Sequence, residues 1–195
     1  NFKLTDASGN KIPAQRIRSE ATVNGQSRLL FVAELPSMGY EVFRLYLKAE
    51  DAPRFPHVKV TDNMLENARY RISFDEATGY LASLYDKQSD LEVLRREGAR
   101  LAVIEDLSDT WSHNIFKFDK HLGDMKAVSR TVLEDGPVRS TVRIKYKYNT
   151  SYVVQDFRLY SELDYVEVRV RVDWREPQTI LKIKYPVNFN FRKPT

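Results

Sequence analysis

From Val166 to Trp174 the chain reads V-E-V-R-V-R-V-D-W. Val166, Val168, Val170, Val172 and Trp174 occupy alternate positions; Glu167, Arg169, Arg171 and Asp173 fill the gaps. A period of two puts these sets on opposite faces of an extended chain, whereas a helix would spread both around its circumference. The segment therefore predicts an antiparallel strand with one buried face and one wet face. Val142–Tyr148 repeats the pattern, with Ile144 and Tyr146 inward and Arg143, Lys145 and Lys147 outward. Leu181, Ile183, Tyr185 and Val187 alternate with Lys182, Lys184 and Pro186, and the proline suits a strand end or an edge.

Turn formers separate such runs. Asn24-Gly25 between Thr22-Val23 and the run Leu29–Leu35 is a two-residue hairpin signal. Ser8-Gly9-Asn10, Ala77-Thr78-Gly79 and Asp135-Gly136-Pro137 mark further turns. About a dozen strands follow from this reading. Leu91–Arg96, after a Ser-Asp pair, is the best helical candidate and is short. The pattern predicts an all-β chain, an antiparallel β-sandwich. Glu50–Pro56 carries two prolines and no alternation, so it reads as a linker. The expected division is the end of a small β-sandwich domain over 1–50, a linker over 51–56 and a large sandwich over 57–195. The three or four strands expected before the linker are few for an independent core.

A chain of 195 residues, 42% hydrophobic and 30% charged, is long enough and mixed enough for a globular core. No apolar run is long enough for a membrane-spanning helix, and Asn1–Asp6 lacks the pattern of a signal peptide. The absence of cysteine removes disulfides, thiolate metal sites and thiol catalysis, and fits a cytoplasmic bacterial protein. The net charge is +4, but the cations alternate along strands and no nucleic-acid motif accompanies them. Arg139, Arg143, Lys145 and Lys147 read as a solvated strand face, with acidic strands opposite as an equal explanation.

Four segments, in order, resemble the C-terminal half of glycoside hydrolase family 38. Leu35–Leu45 (L-P-S-M-G-Y-E-V-F-R-L) is similar to the family's L-P-x-x-G-Y-x-x-[YF]-x-L strand pair. Leu65-Glu66-Asn67 resembles the L-E-N entry into its large sandwich. Gly79–Lys87 (G-Y-L-A-S-L-Y-D-K) matches the G-x-[IL]-x-S-[IL]-x-D-K hairpin, with Leu81, Ser83 and Tyr85 alternating against Ala82, Leu84 and Asp86. Val172-Asp173-Trp174-Arg175-Glu176, then Leu181-Lys182 and Tyr185-Pro186, is similar to V-D-W-x-E … L-K-x-x-[FY]-P.

The resemblance implies a galactose-mutarotase-like supersandwich, incomplete where the chain closes at Arg192-Lys193-Pro194-Thr195. It implies part of a retaining α-mannosidase acting on mannosides. Retaining hydrolysis uses two carboxyls about 5–5.5 Å apart. The resemblance places the nucleophile and the zinc ligands, around an H-x-D motif, in an N-terminal catalytic domain. No H-x-D motif occurs here, and His57, His113 and His121 are isolated from one another. No catalytic residue, metal ligand or cofactor is therefore carried over, and zinc is expected in the catalytic domain. The expected partners are that domain, mannosides through the whole enzyme, and a second copy through open strand edges; nucleic acid and membrane are not expected.

One segment stands apart: Asp106–Asp119 reads D-L-S-D-T-W-S-H-N-I-F-K-F-D. Asp109, Trp111 and His113 sit at i, i+2 and i+4, so on an extended segment they share a face. A carboxylate, an indole and an imidazole can together hold a sugar. A similar D-x-W segment in the family implies a wall between sandwich and catalytic domain. The plain alternative makes Trp111 core and Asp109 and His113 loop-stabilising groups. A metal site at His113, Asp119 and His121 lacks any standard ligand spacing. Two other functions stay open: a stand-alone carbohydrate-binding sandwich, and an interaction domain that pairs through its edges.

Overall fold

The computed structural model describes residues 1–18, 27–49, 51, 53–109 and 111–189, and contains no helix among them. Seventeen strands, all paired antiparallel, form five sheets. The first five are β1 (Phe2–Thr5), β2 (Lys11–Ile12), β3 (Ala14–Arg18), β4 (Ser27–Phe31) and β5 (Arg44–Leu47). They make a β2-β1-β5 sheet and a β3-β4 hairpin, whose connecting Asn24-Gly25 lies outside the described residues.

The remaining strands build two layers. One contains a five-stranded sheet, β10-β9-β8-β7-β6, from β6 (Lys59–Thr61), β7 (Met64–Glu66), β8 (Tyr70–Phe74), β9 (Leu81–Asp86) and β10 (Leu91–Glu92). Single bridges, Leu81 with Gly98 and Leu94 with Val187, tie it to the flanks of a β12-β11-β17 sheet. The strands of that sheet are β11 (Arg100–Glu105), β12 (His121–Asp124) and β17 (Thr179–Lys184). Opposite lies the sheet β13-β14-β15-β16, from β13 (Lys126–Glu134), β14 (Arg139–Tyr148), β15 (Ser151–Tyr160) and β16 (Val166–Asp173).

The core fills the space between the layers. Leu65, Ile72 and Phe74 from one side meet Val142, Ile144, Tyr146, Val153 and Phe157 from the other in one cluster. Phe74 and Phe157 pack at 4.8 Å between centroids, tilted by 59°, a geometry the aromatic quadrupole favours. Val166, Val168, Val170 and Trp174 rest against this cluster, as their alternation requires, while Val172 at the rim stays exposed. Two buried tyrosines keep their hydroxyls satisfied: Tyr146 donates to the Gly79 carbonyl at 2.7 Å and Tyr80 to that of Met125. Burial pushes the Tyr80 phenol up to about 12 and raises that of Tyr146 as well, so both remain protonated donors. Gly79 itself has φ of 73°, and a Cβ there would sit 2.8 Å from the Ala127 Cβ, so only glycine fits.

Several local expectations change. Leu91–Arg96 is no helix: β10 takes Leu91 and Glu92, and Leu94 makes the bridge to Val187. Leu35–Phe43 lies outside the strands and leaves Leu35, Met38 and Tyr40 exposed; only Arg44–Leu47 pairs, as β5. In β9, Leu81 and Leu84, three residues apart, both pack on the core. Register shifts between Ser73 and Phe74 on the partner strand, and one extra residue flips the alternation beyond it.

The N-terminal strands reach the sandwich through Gln15. Its buried Oε1 accepts the amides of Val138 and Arg139, at 3.2 and 2.9 Å. Gly136 makes room, since a Cβ there would meet the Gln15 Cδ at 2.5 Å.

Candidate functional site

The segment between β11 and β12 turns back on itself. Asp109 Oδ1 accepts the amides of Trp111 (3.0 Å) and His113 (3.1 Å), and Oδ2 lies 2.6 Å from His113 Nδ1. The Ser112 amide donates to the Asp109 carbonyl at 3.0 Å. Ser112 and Asn114 take φ of 54° and 61°, left-handed values that bend the chain. The three residues come together, but not as an extended face. A short carboxylate at the head of the segment captures downstream amides, as Asp does in turns. These bonds hold the Asp109 carboxyl below its ordinary range, the His113 amide contributing most.

Trp111 is not core. It is 80% exposed, and Phe116 nearby is 97% exposed. Asp109 and His113 spend hydrogen-bonding capacity on each other, so a sugar would meet an exposed indole plate, with His113 Nε2 as the ring nitrogen left for a ligand.

A zinc ion does not fit these residues. Each histidine sits beside one carboxylate: His57 with Asp135 at 3.4 Å, His113 with Asp109, and His121 Nε2 with Asp124 at 3.0 Å. Among the described residues no group of three or more His, Cys, Asp or Glu could hold a metal, and zinc needs at least three such ligands.

The outer face of the β13–β16 sheet carries most of the buried charge. Arg139 departs from its expected solvated position: it is 6% exposed and bidentate to Glu134, at 2.8 and 2.7 Å. Its third bond goes to the Tyr160 hydroxyl at 3.1 Å, which donates to Glu167 at 2.7 Å. Asp156, fully buried, accepts Arg143 at 2.6 and 2.8 Å. Burial raises the Asp156 carboxyl, but the Arg143 bond and nearby guanidinium charges bring it below its ordinary value. Lys145 and Lys147 do stand outward, over the Tyr152 ring. Arg139–Glu134 and Arg143–Asp156 are ion pairs between neighbouring residues of one sheet.

The family assignment comes from comparison with known proteins. The glycosyl hydrolases family 38 C-terminal domain matches residues 65–195, more than half of the chain. The chain belongs to glycosyl hydrolase family 38. No curated protein matches it. Within this family 38 domain two of the resembling segments touch each other. Lys87 Nζ lies 2.5 Å from Glu66 Oε1 and donates to the Asn67 carbonyl at 2.7 Å, joining the L-E-N and D-K segments. Asn67 Oδ1 accepts the amides of Arg69 and Tyr70 (2.9 and 2.6 Å), and its Nδ2 donates to the Tyr160 carbonyl at 2.7 Å. Glu176 accepts Asn149, Thr150 and Ser151 at 3.0, 3.2 and 2.8 Å, capping the β14–β15 turn, and Trp174 stacks on Tyr148. Asn67, Lys87 and Glu176 thus brace turns and strand ends of the sandwich. Sequence reasoning passed over Lys126, which the register sets opposite Lys147; nothing in a linear pattern reveals a cross-strand neighbour.

Proposed function

We propose that this chain is the accessory sandwich of a retaining α-mannosidase, packing on a catalytic domain that holds the zinc ion and both reacting carboxyls. In this reading it helps wall the mannoside cleft in a cytoplasmic bacterial enzyme. Membership of family 38 supports the glycosidase setting, and the exposed Trp111 on a loop pinned by Asp109 is the observation that carries a sugar-facing role. The indole would stack on the sugar while Asp109 sets the loop's shape. If the contact is worth as much as an aromatic pair, about 0.5–1.5 kcal/mol, it contributes up to about tenfold in kcat/KM.

Hydrolysis of an aryl α-mannoside, with and without zinc, tests the division of labour. The 195-residue chain alone should be inactive, and the same chain joined to its catalytic domain active. In the joined enzyme Trp111→Ala should lower kcat/KM by about threefold to tenfold. Turnover by the chain alone would place the chemistry here and overturn the proposal; an unchanged kcat/KM would remove Trp111 from the cleft.

A further inference from the structure

Three consecutive rows of the outer β13–β16 face concentrate positive charge. The register aligns Lys126, Lys147, Tyr152 and Asp173 in one row, and Ser129, Lys145, Val154 and Arg171 in the next. Thr131, Arg143, Asp156 and Arg169 form the third. Directly opposed side chains on a sheet lie about 4.5–5.5 Å apart at Cβ, and like charges there destabilise the pair. Lys126 stands opposite Lys147 in just this way. Lys126, Lys145 and Lys147 are exposed and make no ion pair among the described residues. Of the two acids in these rows, Asp156 is buried and taken by Arg143 and Arg171, the latter at 3.5 Å. Asp173 pairs with Arg175 at 2.8 Å at the margin. Between them Tyr152 carries two ammonium groups, Lys145 at 4.4 Å and Lys147 at 5.7 Å from its centroid.

We propose that this face, centred on Lys126, Lys145, Lys147 and Tyr152, binds an anionic glycan bearing sulfate or phosphate esters. The uncompensated lysines supply the charge, and the tyrosine ring between them gives a sugar something to lie against. A neutral mannoside has no use for three clustered ammonium groups, so this site is separate from the Trp111 loop. A single aromatic among the cations disfavours a nucleic acid strand, which needs a stacking partner for successive bases. The choice of a glycan over another polyanion rests on the glycosidase reading above; the cation cluster does not.

Retention of the 195-residue chain on immobilised heparin, inorganic polyphosphate and neutral mannan, eluted with rising salt, tests this. Heparin should hold the chain beyond both others. The triple charge reversal K126E/K145E/K147E should abolish that difference and lower the salt dependence, as the log–log slope, by about 2. The triple K48E/R54E/K184E, which reverses as many charges elsewhere, should retain like the unmodified chain. The pair K126Q/K147Q removes the repulsion, so its thermal midpoint should hold or rise while retention falls; this separates lost binding from lost folding. Equal loss in both reversal triples would mean net charge alone acts, and would overturn the site. Polyphosphate retention equal to heparin would overturn the glycan assignment, and so would heparin retention no better than mannan. None of these readouts involves turnover, so failure here and failure of the mannosidase reading are scored apart.

Discussion

Residues 1–49 and 57–189 use the same antiparallel pairing, yet different forces hold them. In the first region Leu4 is the single buried apolar side chain among the described residues; the other buried apolar residues lie between Val58 and Tyr160. The first five strands span two to five residues each, against ten in β14 and β15. They lean on the Phe31–Phe43 contact at 4.9 Å, on the exposed Lys3–Asp51 pair at 3.0 Å, and on the buried Gln15 anchor. Exposed pairs contribute only about 0–1 kcal/mol. Backbone pairing alone does not make a stable unit; an apolar layer behind the strands does.

Phe157→Ala should break the stronger region. The ring is fully buried against Phe74, and such truncations cost about 3–5 kcal/mol through lost transfer energy and a cavity. Chemical denaturation should show a lower midpoint with an unchanged slope. A loss below about 1 kcal/mol would mean the inter-layer core does not dominate, and the contrast between regions would collapse.

Gln15→Ala sharpens the comparison at the join. It leaves the amides of Val138 and Arg139 without their buried acceptor, at about 1–3 kcal/mol for an unsatisfied group. Amide exchange should accelerate across residues 1–18 and change little in β15. Gly136→Ala should act alike from the other side, because its Cβ would collide with the Gln15 side chain. Unaltered exchange in residues 1–18 would show that the anchor lies elsewhere.

How much of this was legible depends on how local the cause is. The valines of β16 and the Ile144/Tyr146 pair declared their faces, because alternation is a property of consecutive residues. The unbroken alternation read through Leu81–Asp86 is interrupted by a bulge, which depends on the partner strand. Arg139 looked solvated, yet Glu134, five residues away, folds back to cover it. Three of the four resembling segments lie within the family match over residues 65–195; the contacts they make, Lys87 on Asn67 and Glu176 on the β14–β15 turn, were not legible. At the candidate site the spacing was read as extended, where Asp109 bends the chain and draws His113 back to itself.

That loop is a third kind of region, held by one carboxylate and almost no burial. Trp111→Ala should therefore change stability by less than about 0.5 kcal/mol, as for other exposed positions. The Asp109 carboxyl lies below its ordinary value of 3.8 because its charged form accepts the His113 and Trp111 amides. The sign follows: the loop's shape is fully supported above 3.8, and the support is lost as pH falls through the depressed value. Trp111 fluorescence, read with Trp174→Phe to silence the other indole, should show a step below 3.8. Asp109→Asn, which cannot titrate, should remove that step. A step below 3.8 that persisted in Asp109→Asn would mean another group holds the loop, and the Asp109 hinge would no longer explain why the indole stands in water.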